Sequence, residues 1–316
     1  MMKTLQPLIQ QRADPFMVKH TDGYYYFTAS VPAYDRIEVR RARSIAELAA
    51  ATPVTVWRKP DSGPMSELIW APEIHHVDGA WYVYFAAAPS RAIKDNLFQH
   101  RIFAITTPAD NPLEGEWSVC GRIDTGMDTF CLDSTTFAHR EARYFVWAQK
   151  DPAIPGNSNL YIARMSRPTR LATRPVRLSV PEFDWETRGF SVNEGPAILI
   201  RRGKVFLSYS ASATDENYCV GLLHAPEEAD LLNPASWTKS QKPVFQSCYE
   251  NSVYGPGHNS FTVSEDGQTD MLVYHARTYT KIEGDPLWDP NRHTYVKPLK
   301  WDGNDMPDFG RPSVID

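Results

Sequence analysis

The chain has 316 residues, 42% hydrophobic and 22% charged, which is enough apolar mass for a large core. Its 33 basic and 38 acidic side chains leave a net charge of −5, so there is no dense positive field for nucleic acid or an anionic membrane surface. No run approaches the ~20 apolar residues of a membrane span, and four scattered cysteines without a CxxC pair exclude a disulfide framework.

The opening Met1-Met2-Lys3-Thr4-Leu5-Gln6-Pro7 lacks an apolar signal core. As the sequence stands this points to the cytoplasm, or to secretion after a signal has been removed. Beyond it, short aromatic and β-branched runs recur at residues 24–28, 81–85, 143–147, 204–209 and 271–274, each after a turn rich in Gly, Asp or charge. Helical periodicity is confined to 44–51 and 227–232, each long enough for a turn or two.

The turn positions Gly23, Gly79, Ala142, Gly203 and Gly267 align these runs. Nine residues before each lie Asp14, Trp70, Asp133, Glu194 and His258, at intervals of 56, 63, 61 and 64 residues. Third strands are expected at 37–42, 101–106, 160–165, 218–223 and 294–299, and fourth strands near Val54, Trp117, Val176, Trp237 and, weakly, Asp308. Five four-stranded units predict an all-β, five-bladed β-propeller with blades at roughly 13–60, 69–123, 132–182, 193–247 and 257–310. A β-sandwich is the alternative, but it calls for no repeat of this length. The blades use nearly all of the sequence, so a single catalytic propeller without an appended sandwich is expected.

In a propeller the first strand of each blade lines the central channel, so residues at one phase converge on the axis. Asp14, Asp133 and Glu194 share that phase, and like charges at close range raise one another's pKa. Each has an ordinary reading as well. Asp14 in Ala13-Asp14-Pro15 fits a turn, and Asp133 fits a strand-end Asx cap. Glu194, held before Gly195-Pro196, is harder to assign to structure alone. Carboxylates around one pocket fit glycoside hydrolysis, in which one acid protonates the leaving oxygen and one carboxylate activates water or attacks the sugar. Trp70 fits either a stacking platform for a sugar ring or a core residue between blades.

Arg12-Ala13-Asp14-Pro15-Phe16, Trp70-Ala71-Pro72-Glu73, Leu132-Asp133-Ser134, Asn193-Glu194-Gly195-Pro196 and Gly257-His258-Asn259 together resemble glycoside hydrolase family 43. That family comprises five-bladed propellers that hydrolyse α-L-arabinofuranosyl and β-D-xylosyl linkages with inversion. The resemblance implies Asp14 as general base, Asp133 as the aspartate that tunes and orients the acid, and Glu194 as general acid. It also implies that Arg277, in Tyr274-His275-Ala276-Arg277-Thr278, contacts the sugar; a surface ion pair is the alternative. In several relatives the residue matching His258 faces a central calcium through water, so the resemblance implies a structural calcium or a substrate contact there. A hydrogen-bonded core histidine is the other reading, because no acidic calcium loop occurs in the sequence. No cofactor is required.

Loops at 31–36, 88–99, 151–159, 213–217 and 278–293 are expected to shape the pocket and to favour attack on chain ends. The expected activity is release of terminal α-L-arabinofuranosyl units from plant cell-wall arabinan, arabinoxylan or their fragments. A β-xylosidase is the second reading, and a non-catalytic sugar-binding propeller comes from a different class. No nucleic-acid or membrane partner is expected.

Overall fold

The computed structural model describes residues 6–312, so most of the opening segment lies outside the described residues. Five antiparallel sheets succeed one another along the chain. Their inner strands are Ala13–Lys19, Glu67–Val77, Cys131–His139, Asn193–Arg201 and Tyr254–Val263. The second strands are Tyr25–Ser30, Ala80–Ala88, Ala142–Gln149, Lys204–Ala211 and Asp270–Arg277. The β-propeller is therefore the fold, and the sandwich alternative falls away. No helix among the described residues is long and apolar enough to cross a membrane, and all four cysteines are unpaired thiols.

The second strands explain why the sequence showed unbroken aromatic runs instead of alternation. Each lies mid-sheet with a neighbouring blade on either side, so both faces are apolar; Tyr25–Ser30 is buried at every position. One hydrophobic cluster fills each gap between adjacent blades. Tyr26, Trp81 and Phe85 join blades one and two. Phe145 and Trp147 meet Tyr84 between two and three, and Tyr144, Trp185 and Tyr209 join three and four. Phe206 and Tyr274 join four and five, and Met17, Phe27 and Val273 close five onto one.

Two expectations need correction. Residues 227–232 form turns, not a helix: Ala229 N–H bonds Pro226 C=O, and Asp230 Oδ1 accepts from Leu232 N–H, which bends the chain before a helical turn can build. The other expected segment, 44–51, does hold a short 3-10 turn at Ala46–Ala49, and further 3-10 turns occur at Asp184–Glu186, Pro234–Ser236 and Pro286–Trp288. The last blade also has no fourth strand at Asp308. Pro307–Asp308 pairs with Lys300–Trp301 in a separate ribbon, and the blade has three strands. The free edge of its third strand, His293–Pro298, is met by the chain's beginning. Ile9 and Thr294 exchange backbone hydrogen bonds, and Thr294 Oγ1 donates to Arg12 C=O. The two ends of the sequence thus fasten the ring, a closure that no periodicity in the sequence announced.

Ile9 is 4% exposed inside the cluster between blades five and one. Ile9→Ala should lower stability by about 2 kcal/mol, the low end for a truncated buried aliphatic residue. Denaturant unfolding would read this as an earlier midpoint, and an unchanged midpoint would mean that ring closure does not depend on this contact.

Candidate active site

Each inner strand carries a β-bulge where it enters the channel mouth, and one residue of each bulge has left-handed backbone. These residues are Asp14, Ala71, Asp133, Gly195 and His258, with φ of 54, 45, 48, 55 and 43°. Non-glycine residues hold such angles only where their surroundings enforce them, at a cost of about 1–3 kcal/mol each. The bulges refine the repeat. Trp70 and Glu194 sit one residue before the left-handed position: blades two, three and four share a two-residue hairpin turn, and Ala142, expected in the turn, is already the first residue of the second strand, while the turns of blades one and five are longer. Glu194 reaches the site from that earlier position, while Gly195 takes the strained conformation. A Cβ on Gly195 would also meet the His258 ring at 3.1 Å.

Side chains from neighbouring blades satisfy the bulges' N–H groups. Asp14 N–H donates to His275 Nδ1 (3.0 Å), Ala71 N–H to Ser30 Oγ (2.8 Å), Gly195 N–H to Asp133 Oδ2 (3.1 Å) and His258 N–H to Ser210 Oγ (2.7 Å). These bonds fix the three carboxylates around one pocket with about 160 Å³ of room, lined among others by Asp14, Trp70, Asp133, Glu194, His258 and Arg292.

Asp14 is surrounded by positive and donor groups. Ser30 Oγ donates to its Oδ2 at 2.6 Å. Arg292 Nη1, His258 Nδ1 and His275 Nδ1 lie 3.2, 3.4 and 3.5 Å from its Oδ1. Burial pushes its pKa up, but Arg292 and the hydrogen bond from Ser30 outweigh burial and hold it well below the usual carboxylate range. Burial also lowers the pKa of His258 and, more strongly, of His275.

Asp133 and Glu194 sit in the opposite electrostatic situation. Burial raises Asp133 well above its ordinary value, and the charges of Glu194 and Asp14 add to the rise. Burial likewise raises Glu194, against a hydrogen bond from Tyr218 Oη to Oε1 at 2.8 Å. Among the described residues no arginine or lysine pairs directly with either carboxylate; the nearest basic side chain to Asp133 is His258, whose Nδ1 is 3.7 Å away. Both carboxyls therefore keep their protons to higher pH than free carboxylic acids, and their titrations are linked. The pocket thus sets a carboxylate of lowered pKa on blade one against two carboxyls of raised pKa on blades three and four.

The other expected residues divide. Trp70 lines the pocket, with one face of its indole covered by His100 at a ring separation of 3.8 Å and 22°. It is thus a wall residue fixed by its own stack. His258 lines the pocket at the base. Arg277, expected to contact the sugar, is 2% exposed and does not line the pocket. The end of its strand does return to the channel mouth, opposite Tyr254. Its guanidinium, however, is committed to the carbonyls of Thr214 and Pro286 and to Asp289, 3.5 Å away, where it anchors the loop ahead of the last blade's third strand.

Arg292 is the arginine that enters the site, where it also donates to Tyr34 Oη at 3.2 Å. A lone arginine in a long polar loop carries no spacing signal, so the sequence did not reveal it. Tyr218, Ser30 and His275 were equally silent, each lying inside an ordinary strand pattern or at its edge. Of the loops expected at the mouth, 88–99, 151–159, 213–217 and 278–293 contribute lining residues. Loop 31–36 acts behind the wall through Tyr34, and the segment before Glu194 contributes Phe190 and Val192, which were not foreseen.

No group of three or more His, Cys, Asp or Glu side chains among the described residues converges as a metal site. The carboxylate oxygens nearest His258 are already engaged by Ser30, Arg292 and Gly195. That donor set does not match the six to eight oxygens that calcium takes, so no step below runs through a metal.

Arg292→Gln should raise the Asp14 pKa by about one to three pH units, because it removes the guanidinium that favours the ionised form. Carbon-13 NMR titration of the Asp14 carboxyl would measure the change. An unmoved titration would transfer the effect to Ser30.

A family model described as Glycosyl hydrolases family 43 matches residues 4–307. An extracellular exo-α-(1→5)-L-arabinofuranosidase of Streptomyces avermitilis is 52% identical over 306 residues, which is 97% of this chain and 63% of that protein. The α-L-arabinofuranosidase 43 of Humicola insolens is 52% identical over 306 residues, covering 96% of this chain and 63% of its own length. The chain thus spans 63% of the length of these two curated relatives. Among solved structures, an α-L-arabinofuranosidase from Lactobacillus brevis superposes with a TM-score of 0.97 at 58% identity, covering 99% of this chain and 98% of that one.

Proposed function

The chain belongs to glycosyl hydrolases family 43, and from that premise we propose that it is an inverting exo-α-L-arabinofuranosidase acting on arabinan, arabinoxylan or their fragments. One observation carries the chemistry: a carboxylate whose pKa Arg292 holds down shares a single pocket with a carboxyl whose pKa burial pushes up to about 7. The choice of arabinofuranosyl over xylosyl is supported by the names of the relatives, each about half identical to this chain over most of its length.

In the proposed reaction Asp14 takes a proton from water, whose oxygen forms a bond to the anomeric carbon. The bond from that carbon to the leaving oxygen breaks on the opposite side, and Glu194 gives its proton to that oxygen. Asp133 sets when Glu194 releases its proton. It also holds Gly195, the next residue, by its backbone N–H. Base and acid come from blades one and four, and inverting pairs generally stand about 6.5–9.5 Å apart, with room for the water. Proton NMR of the first-formed arabinose should show the inverted anomer, and linear arabinan should yield arabinose before any long fragment. A retained anomer would transfer Asp14 from base to nucleophile, and long early fragments would contradict attack at chain ends.

The carboxylates should also fail differently. Glu194→Gln should damage substrates with poor leaving groups far more than activated aryl glycosides. Asp14→Asn should lower both by about 10²–10⁴-fold. Asp133→Asn should move the alkaline limb of the kcat/KM profile to lower pH. In the wild-type pair the last proton leaves against the charge already formed on its neighbour, and the variant removes that repulsion. An alkaline limb that stays in place would restrict Asp133 to orienting Gly195 and Glu194.

A further inference from the structure

We propose that Tyr218 is a positioning residue for the acid: its phenol holds Glu194 Oε1 as a hydrogen-bond acceptor, so the proton that is transferred sits on Oε2. This rests on the reading of Glu194 as general acid and says which of its two oxygens acts. Tyr218 Oη lies 2.8 Å from Glu194 Oε1. A phenol can donate or accept, so the distance by itself leaves the direction of this bond open. The groups behind the phenol settle the direction.

Three bonds run one way. The His258 N–H, a backbone group that can only donate, gives its proton to Ser210 Oγ at 2.7 Å. The Ser210 hydroxyl is wholly buried, and its own proton goes to the phenol oxygen of Tyr218. That leaves the Tyr218 proton, and Glu194 Oε1 is the acceptor it reaches among the described residues. Were the acid's proton on Oε1 instead, the phenol would receive from both Ser210 and Glu194. Its own hydrogen would then be a buried donor without an acceptor, which is costly. The relay thus makes Oε1 an acceptor in both states of the acid, and Oε2 holds and releases the proton.

The ring that carries the phenol is held on several sides. Tyr218 is 1% exposed, its N–H donates to Asp215 C=O, and it lies parallel to the His275 imidazole at 5.6 Å and 6°. On blade five Gly257 passes so close that a Cβ there would run into ring atoms Cδ1 and Cε1. His275 Nδ1 in turn accepts Asp14 N–H, so two parallel rings hold one oxygen of the acid and the backbone of the base. The titratable and charged groups around this pair are Glu194 on blade four, Asp133 on blade three, Asp14 on blade one, and His258, His275 and Arg292 on blade five. Burial and Asp14 raise Glu194, whereas the phenol favours its ionised form, because the bond to Oε1 strengthens when the charge forms. Tyr218 itself gives up no proton: Oε2 delivers one to the leaving oxygen, and the phenol stays bonded to Oε1.

The test is Tyr218→Phe, which keeps the ring and its stack and removes one oxygen. The Glu194 carboxyl, followed by carbon-13 NMR without substrate, should titrate about one pH unit higher, and the alkaline limb of kcat/KM should rise with it. The acid is then weaker and its proton can occupy either oxygen. On α-1,5-arabinobiose kcat should fall about tenfold with KM near wild type, and an aryl arabinofuranoside with an activated leaving group should lose far less. In a Glu194→Gln background the same change should cost less than about twofold, because the group it acts through is gone. Replacing Tyr218 with 3-fluorotyrosine, a stronger donor of nearly the same shape, should move the limb the other way, and this decides the matter if the phenylalanine variant melts early. An unmoved carboxyl titration, equal losses on both substrates, or a full added loss in the Glu194→Gln background would overturn the assignment and leave Tyr218 a packing residue. The matching β-xylosides are measured alongside. If wild type prefers them, the sugar assignment fails while the same ratios still decide Tyr218. If wild type cleaves neither pair, both readings fall, whereas an active wild type with an unmoved titration sinks only the role of Tyr218.

Discussion

The ring of hydrogen bonds at the channel mouth is the constraint on which the site depends. Five inner strands must turn sharply there, and each does so with one residue in left-handed backbone. At four of the five, all but Asp133, a neighbouring blade's side chain then accepts the N–H that a regular ladder would have paired. Ser30 shows how tightly this is drawn: one hydroxyl accepts from Ala71 N–H and donates to Asp14. Asp133 likewise stitches blade three to blade four through Gly195. The groups that carry the chemistry are therefore also the fasteners between blades, and their geometry cannot drift without loosening the ring.

Charge is distributed unevenly around that ring, and the unevenness produces function. Asp14 and Asp133 are buried and Glu194 is partly buried, and removal from water alone would raise every one of them. Arg292 pairs directly with Asp14 and lowers it strongly, while on Glu194 it acts more weakly than burial and Asp133 meets no arginine among the described residues. In the proposed reaction this difference is what separates three similar carboxyls into a base and an acid with its modulator. The same logic explains the failure of Arg277 as a sugar contact: buried behind the wall, it hydrogen-bonds loop carbonyls and has no free donor face to offer the pocket.

The fold was legible because blade gaps bury both faces of each second strand. That demand writes aromatic runs such as Tyr24–Phe27 and Trp81–Phe85 at one repeat spacing. The carboxylates were legible because they recur at that spacing too, although the one-residue offset of Glu194 was hidden because Ala142, which looks like a turn residue, opens the second strand of its blade. Ring closure was not legible, since Ile9 and Thr294 are joined across 285 positions by backbone atoms that carry no residue signature. Arg292, Tyr218 and Phe190 were hidden for a related reason. Their roles arise from where loops fold back over the mouth, and loop geometry follows local turns and distant contacts instead of a period.

The division between strands and loops has a consequence for how the site responds to its substrate. Inner strands, locked by the ring, set the position of every carboxylate, whereas the loops set what the carboxylates meet. Arg292 belongs to the second group, yet it controls the charge of a member of the first. The loop that carries it is tied down elsewhere, by Arg277 on Pro286 and Asp289 and by Tyr34 on Leu287. Tyr34 also receives a bond from Arg292 itself. These anchors fix the guanidinium against Asp14, so the ionisation of the base depends on a loop that also forms the pocket wall. A loop displaced by a misfitting ligand would carry the cation away and let burial raise the base's pKa. In the proposed reaction the readiness of Asp14 thus depends on the anchors that hold Arg292 in place, Arg277 and Tyr34 among them, although Arg277 does not reach the pocket.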